Sequence, residues 1–427
     1  MNRIQKPQNP SVLIAAPNAS TEFGGEAILP VHYFRYLRAR GIRACLVAHQ
    51  RNRANLEEVL HQEADNIFYV ADTAVHKLIW KTGSVFPAKI RDHLFGNLLN
   101  LVNEVYQARL IRRLVSLRDV TIIHQPTPVS PKAPSSVYGF GVPVVIGPMN
   151  GGMSYPPGYE EYERRSERLF VGVSRRLASL ANWLIPGKRR AAILMVANER
   201  TKAALPVSDH SNVVTLLENG VDLSLWAGQE APPSRSASPD EGPLQLVFMG
   251  RLVPLKAVDF TLRALSLAKQ AGQSVSLSIL GDGPDRARLE GITKDLGLEA
   301  QVTFHGFLPQ SSCAQHLKNA DALVLNSIHE CGGAVILEAM AAGKPVIGAD
   351  WGGPADYIEP DNGILVSPME RDSFAQRLSE AIIKLAENPE LRHQMGAVGR
   401  QRIIEEFDWR KKIDRILEVY SQAETST

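Results

Sequence analysis

The chain has 427 residues, 44% hydrophobic and 22% charged, with a formal net charge of +2. That length suits two domains of about 200 residues each, and the composition is ordinary for a soluble globular protein. No run of about 18 apolar residues is present, and the aromatics are not interleaved with the basic residues, which argues against a membrane-spanning chain and against a nucleic-acid binder.

Cys45, Cys313 and Cys331 are scattered and odd in number, with no Cys-x-x-Cys or Cys/His cluster. Neither a disulfide framework nor a structural zinc is expected, and the usage fits a reducing cytoplasm. The first ten residues are polar, and the apolar run 12–17 is too short for the core of a signal peptide. Residues 1–227 hold 27 Lys/Arg against 18 Asp/Glu, whereas residues 228–427 hold 20 against 27. A basic half beside an acidic half points to different partners for each, or to ordinary surface variation.

In chain order, short β-branched runs mark strands at 12–16, 42–48, 66–70, 120–124, 142–146, 193–197 and 213–217. The stretch 227–243 is rich in Pro, Ser and Ala without apolar periodicity, and reads as a linker. Beyond it strands are expected at 244–249, 274–280, 301–305, 322–326, 345–348 and 363–366. Helical stretches separate them. Near-continuous apolar strands alternating with helices predict an α/β fold of two Rossmann-like, doubly wound parallel-sheet domains facing a cleft. The domains are expected at 1–226 and 244–407, with a terminal helix, 408–427, rejoining the first. Such sheets bind ligands at the carboxyl ends of their strands.

The motifs follow strands accordingly. Gly24-Gly25-Glu26 lies between the first strand and an apolar helix. His124 closes the first-half strand at 120–124, either as a ligand-facing side chain or as a strand-end histidine. Glu218-Asn219-Gly220-Val221-Asp222 precedes the linker, with a turn expected at Asn219-Gly220. Gly250-Arg251 ends the strand at 244–249, and Lys256 lies five residues on, so that two cations could face an anion. Gly281-Asp282-Gly283 is a turn that lets backbone approach a ligand closely. The strand at 322–326 runs through Glu330-Cys331-Gly332-Gly333 into Ala334-Val335-Ile336-Leu337-Glu338, a strong helix former stopped by Gly343 and Pro345. Free N–H groups at Gly333, Ala334 and Val335, with the helix dipole, make an anion site. Glu338 lies close enough to accept a pair of hydroxyl hydrogen bonds beside that anion. No Gly-x-Gly-x-x-Gly and no Walker sequence occurs, which counts against dinucleotide redox and P-loop chemistry.

The ordered set GGE, ENGVD, GRLVPLK, LGDGP, HGFLP, ECGGAVILEAMAAGKPVI and EEFDW resembles the retaining glycosyltransferases of family 4, which have the two-domain GT-B fold. The resemblance covers the second domain end to end and is looser in the first. It implies a nucleotide-diphosphate sugar as donor, no metal or other cofactor, and transfer with retention by front-side attack, the leaving phosphate taking the acceptor's proton. It places Glu330 on the donor sugar, Glu338 on the ribose, and Arg251 and Lys256 on the diphosphate. Gly250, Gly281, Asp282, Gly332, Gly333, Ala334 and Val335 would surround the donor, Leu308 would lie near the base, Gly25 in the cleft, and His124 near the transferred sugar. His329 reads as a structural neighbour of Glu330. One departure concerns Cys331-Gly332, where the family usually carries an aromatic residue.

For the acceptor, the resemblance points to bacterial enzymes that build surface polysaccharides, hence a lipid-linked or polysaccharide precursor; a small soluble acceptor, or nucleotide-sugar binding without catalysis, are the alternatives. Residues 163–190 combine Leu169, Val173, Leu177, Leu180 and Leu184 at helical spacing with many arginines and Lys188. They read either as a basic helix at the inner membrane face or as a domain helix with its apolar side on the core.

Overall fold

A computed structural model describes residues 9–22, 25–83, 96–159, 178–207, 210–227 and 242–426. The chain divides into two compact units. The first comprises Met1–Gly152, Gly172–Glu218 and Ile413–Thr427, the second Met153–Val171 and Asn219–Lys412. The sequence places the first boundary at 226, whereas residues 219–226 group with the second unit.

In the first unit seven strands form one sheet: β1 (Ser11–Ala15), β2 (Arg43–His49), β3 (Ile67–Val70), β4 (Ile122–Gln125), β5 (Val144–Met149), β6 (Ile193–Val196) and β7 (Val213–Thr215). Their order is β3-β2-β1-β4-β5-β6-β7, and every pairing is parallel. In the second unit β8 (Leu244–Met249), β9 (Val275–Leu280), β10 (Val302–Gly306), β11 (Ala322–Leu325), β12 (Val346–Ala349) and β13 (Gly363–Val366) form another. Its order is β10-β9-β8-β11-β12-β13, again wholly parallel. Each expected strand forms, with ends displaced by three residues at most.

Helices cover both faces of such sheets, so β1, β4, β11 and β12 are buried along their whole length. That is why 12–15, 322–325 and 346–349 run without a polar residue and without alternation, whereas β4 ends on the buried His124 and Gln125. Each fully buried Leu, Ile or Phe contributes about 1.5–3 kcal/mol. The helix Leu29–Ala39 adds Leu29, Tyr33, Phe34 and Leu37 to the first core.

Each sheet reverses its order once, between β1 and β4 and between β8 and β11. At these points the connections diverge and leave a crevice beyond the carboxyl ends of the strands.

The ENGVD stretch joins the units, and it is not a hairpin turn. Gly220 packs so tightly that an added Cβ would lie 3.0 Å from the Trp409 ring and 3.1 Å from the Phe407 carbonyl. The Val221 N–H donates to that carbonyl at 2.8 Å, and the Trp409 N–H to the Val221 carbonyl at 3.2 Å. Asp222 instead caps the helix Leu223–Trp226. The linker at 227–243 falls almost wholly outside the described residues.

Candidate active site

The crevice between β8 and β11 in the second unit gathers most of the residues singled out by sequence. Gly250 and Arg251 leave the end of β8, and Arg251 is exposed there. A short 3-10 turn, Pro254–Lys256, ends on Ala257 in a left-handed conformation. This turn carries the Lys256 side chain back to the loop after β11, where its ammonium pairs with Glu330. Both side chains are mostly enclosed, each 17% exposed. The Ile328 N–H donates to the Leu255 carbonyl at 3.0 Å and ties the two loops together.

The glycines here serve close approach of backbone to backbone. A Cβ on Gly281 would lie 2.0 Å from the Gly250 carbonyl, and one on Gly283 would lie 2.2 Å from that of Leu252. The loop after β8 leaves no room for a Cβ at either glycine of the turn Gly281-Asp282-Gly283, which was expected to approach a ligand. Asp282 supports this packing. Its carbonyl accepts from the Leu252 N–H at 2.9 Å, and its carboxylate accepts from the Gly283 N–H at 2.7 Å and from Arg286 at 3.2 Å. Leu308 is half-buried beyond β10, the edge strand, and its carbonyl accepts from the Cys313 thiol.

Past Glu330 the chain passes Gly332 and enters a helix, Ala334–Ala341, from Gly333 at φ +83°. No side chain caps this start, so the N–H groups of Gly333, Ala334 and Val335 lie at an open, positive helix end. The other end closes in a Schellman arrangement. Gly343, at φ +71°, donates to Met340 at 2.9 Å, and Lys344 donates to Ala339 at 2.9 Å. Glu338 is half-buried on the second turn of this helix. Burial pushes its carboxyl up to about 8.

A further pair of glycines, Gly352-Gly353 after β12, went unremarked in the sequence. The Gly353 N–H donates to the Glu330 carbonyl at 2.7 Å. A Cβ on Gly353 would lie 2.4 Å from the Gly332 carbonyl. The signal that could have found it is the one used at Gly332: a buried strand, paired glycines, then a helix with proline near its start, here Gly353–Tyr357.

In the first unit the candidates separate. His124 is fully buried. One ring nitrogen lies 2.7 Å from the Gly147 carbonyl and the other 2.8 Å from the Tyr420 hydroxyl, and Tyr33 packs edge-on at 4.8 Å. With both nitrogens engaged in the core, His124 is not a sugar-facing residue. It fastens the C-terminal helix Trp409–Thr425 to β4. Gly25, by contrast, is exposed at φ +55° in the loop after β1. Phe23 and Gly24 lie outside the described residues. The neighbouring Glu26 carboxylate accepts from the Val129 N–H at 3.2 Å, linking the loops after β1 and β4. Beside them is a cavity of about 450 Å³, lined by Asn18, Ser20, Glu22, Glu26, Arg51 and Asn52 among others. It sits at the carboxyl ends of β1 and β2 and is rich in hydrogen-bonding groups.

Among the described residues no group of three His, Cys, Asp or Glu side chains is placed to hold a metal ion.

Solved structures share this architecture. Anabaena Alr3699/HepE in complex with UDP superposes with a TM-score of 0.64 at 18% identity, covering 96% of this chain and all of that one. The fold is of the GT-B type. Residues 233–402 match the family model of glycosyl transferases group 1. That match spans the second unit from β8 to the helix Pro389–Arg402 and includes every residue of the β8–β11 crevice. The D-inositol 3-phosphate glycosyltransferase of Thermomonospora curvata is 33% identical over 233 residues, 50% of this chain and 52% of that protein. The lipopolysaccharide core biosynthesis glycosyltransferase LpsD of Rhizobium meliloti is 32% identical over 177 residues, 42% of this chain and 49% of that protein. The chain thus spans about half the length of these curated relatives.

Proposed function

We propose that the protein is a retaining, family 4 glycosyltransferase that moves a sugar from a nucleotide-diphosphate sugar to an acceptor hydroxyl. The observation that carries this reading is the meeting, at one crevice, of Arg251, the Lys256–Glu330 pair and an uncapped helix start with Glu338 on its second turn. A diphosphate fits the open N–H groups and the two cations, which would balance the leaving group's charge. Glu330 would hold the donor sugar, and Glu338 the ribose. The group 1 match over these residues and the UDP bound by the Anabaena neighbour support the donor class. In this reading the protein contributes positioning and charge stabilisation, without a metal and without a carboxylate acting as nucleophile as in a retaining glycosidase. A panel of sugar nucleotides, assayed for nucleoside diphosphate release with and without EDTA, tests this. Release from one donor, insensitive to EDTA, is expected; no binding of any nucleotide would overturn it.

In this reading the acceptor site belongs to the cavity of the first unit, where Asn18, Ser20, Glu22, Glu26, Arg51 and Asn52 offer hydrogen-bond partners. A lipid-linked or polysaccharide precursor is the acceptor we favour, with the cytoplasmic membrane face as the place of action. Residues 163–177 lie outside the described structure. In the helical stretch 178–184, Leu180, Trp183 and Leu184 are 50%, 63% and 63% exposed. This exposure supports a lipid-facing surface over a core-facing one. Lys188 does not contribute to it, since its ammonium is buried against the Ser130 and Pro131 carbonyls. Burial also brings its pKa down to about 7. No helix of the described residues is long and apolar enough to cross a membrane.

A further inference from the structure

The loop that carries Glu330 continues into two glycines, Gly332 and Gly333. Gly332 and Gly333 contribute no side chains, and glycine backbone has more freedom to lose on ordering than any other. Yet Glu330 must keep its carboxylate in one place to be of use to a ligand. The structure supplies a support from far away in sequence. Residues 153–159 group with the second unit, although residues up to Gly152 and from Gly172 group with the first. They are well anchored. Tyr159 is fully buried, 5.9 Å from the Phe260 ring and 6.5 Å from that of Phe374. The Trp351 indole N–H donates to the Ser154 carbonyl at 2.9 Å, and Arg371 donates to that of Gly158 at 3.3 Å. From this strap the Tyr155 ring lies against His329, 4.6 Å between centroids and 34° between planes. His329 immediately precedes Glu330. Next to Tyr155, Met153 packs so close to Gly352 that an added Cβ would lie 2.3 Å from its terminal methyl. Gly352-Gly353 in turn holds the Glu330 carbonyl.

We propose that Tyr155 is a positioning residue for the donor site: by stacking on His329 it sets the conformation of the glycine-rich loop and hence the aim of the Glu330 carboxylate. This rests on the function proposed above. Tyr155 lies against His329, which precedes Glu330, so the role assigned to it acts on the carboxylate that would hold the sugar. Its loss should therefore weaken turnover while leaving nucleoside diphosphate affinity alone.

The test uses the full chain with Tyr155→Ala, Tyr155→Phe and Tyr155→Leu, and His329→Ala alone and combined with Tyr155→Ala. Hydrogen exchange at 327–333 is read first. The Ala variant should raise it at least tenfold while β11 stays protected. With a sugar nucleotide accepted by the wild type, Tyr155→Ala should lower kcat at least tenfold and keep UDP affinity within twofold. The Phe variant should match the wild type, because the ring face makes the contact. The double variant should be no worse than Tyr155→Ala. If the Ala variant does not fold, Tyr155→Leu, which keeps bulk without a ring, takes its place with the same expectation. Unchanged exchange at 327–333, equal damage from Phe and Ala, or multiplying effects in the double variant would overturn the assignment. A wild type that bound no nucleotide would overturn the function instead, and the exchange measurement would still decide this one.

Discussion

The Lys256 ammonium meets the Glu330 carboxylate although 74 residues separate them. One follows β8 and the other β11, and these strands are neighbours only because the sheet reverses its order there. The pairing brings a cation to the carboxylate and holds both in a mostly enclosed place. Charges in such surroundings act more strongly than at an open surface.

Removing either cation at this crevice should therefore be costly to turnover. Lys256→Ala and Arg251→Ala are each expected to lower kcat by about 10²–10³, the range for loss of one group that stabilises developing charge. Steady-state measurement of nucleoside diphosphate release checks this. Near-wild-type kinetics in either variant would sink the role.

Glu338 predicts a pH dependence. Its ordinary value is 4.5, and burial in the fold raises it to about 8. Between those values the folded protein holds a proton that the unfolded chain has released. The stabilising contribution is therefore complete below 4.5 and is lost as pH rises through 8. Thermal melts from pH 6 to 9 should show a larger fall in Tm for the wild type than for Glu338→Gln. Equal falls would contradict this. If ribose hydroxyls donate to the carboxylate, affinity for the released nucleoside diphosphate should rise over the same window, with proton release visible by calorimetry in two buffers.

Gly353→Ala should damage the donor loop. Its Cβ would meet the Gly332 carbonyl at 2.4 Å and that of Cys331 at 2.6 Å. Backbone must move to relieve this, at a cost of about 1–3 kcal/mol. Urea denaturation should show that loss, and kcat should drop more steeply than for a surface substitution such as Lys294→Ala. Unaltered kcat would show that the loop tolerates the displacement.

His124→Ala should act on stability. It empties core volume and leaves the Gly147 carbonyl and the Tyr420 hydroxyl each short of a partner. A loss of about 2–4 kcal/mol is expected. At a temperature where the variant stays folded, kcat should remain within threefold of the wild type. A large fall in kcat without a fall in stability would restore a direct role for this histidine.

The exposed Leu180, Trp183 and Leu184, followed by the exposed Arg189 and Arg190, predict sedimentation with anionic liposomes at low salt and release at high salt. Trp183→Ala with Leu184→Ser should reduce the bound fraction at least threefold. Binding that ignores lipid charge, or that survives the double substitution, would count against a membrane-facing surface.

Strands and class were legible because they depend on local pattern. Runs such as 12–15 and Ala322–Leu325 are apolar throughout, and only a strand buried on both faces suits them. The helix start at Gly333 was legible for the same reason: a strand, paired glycines and a strong helix former lie together in the chain. Partnership was not legible, because it depends on which strand ends become neighbours. Sequence put Lys256 and Glu330 in one site and left them unpaired. It put His124 at a strand end beside a ligand, where Tyr420, 296 residues later, encloses it. It gave no sign that the Gly250 carbonyl needs the room at Gly281. A residue's type and its neighbours in sequence determine what it can do; the packing of distant segments decides whether its polar atoms are already occupied.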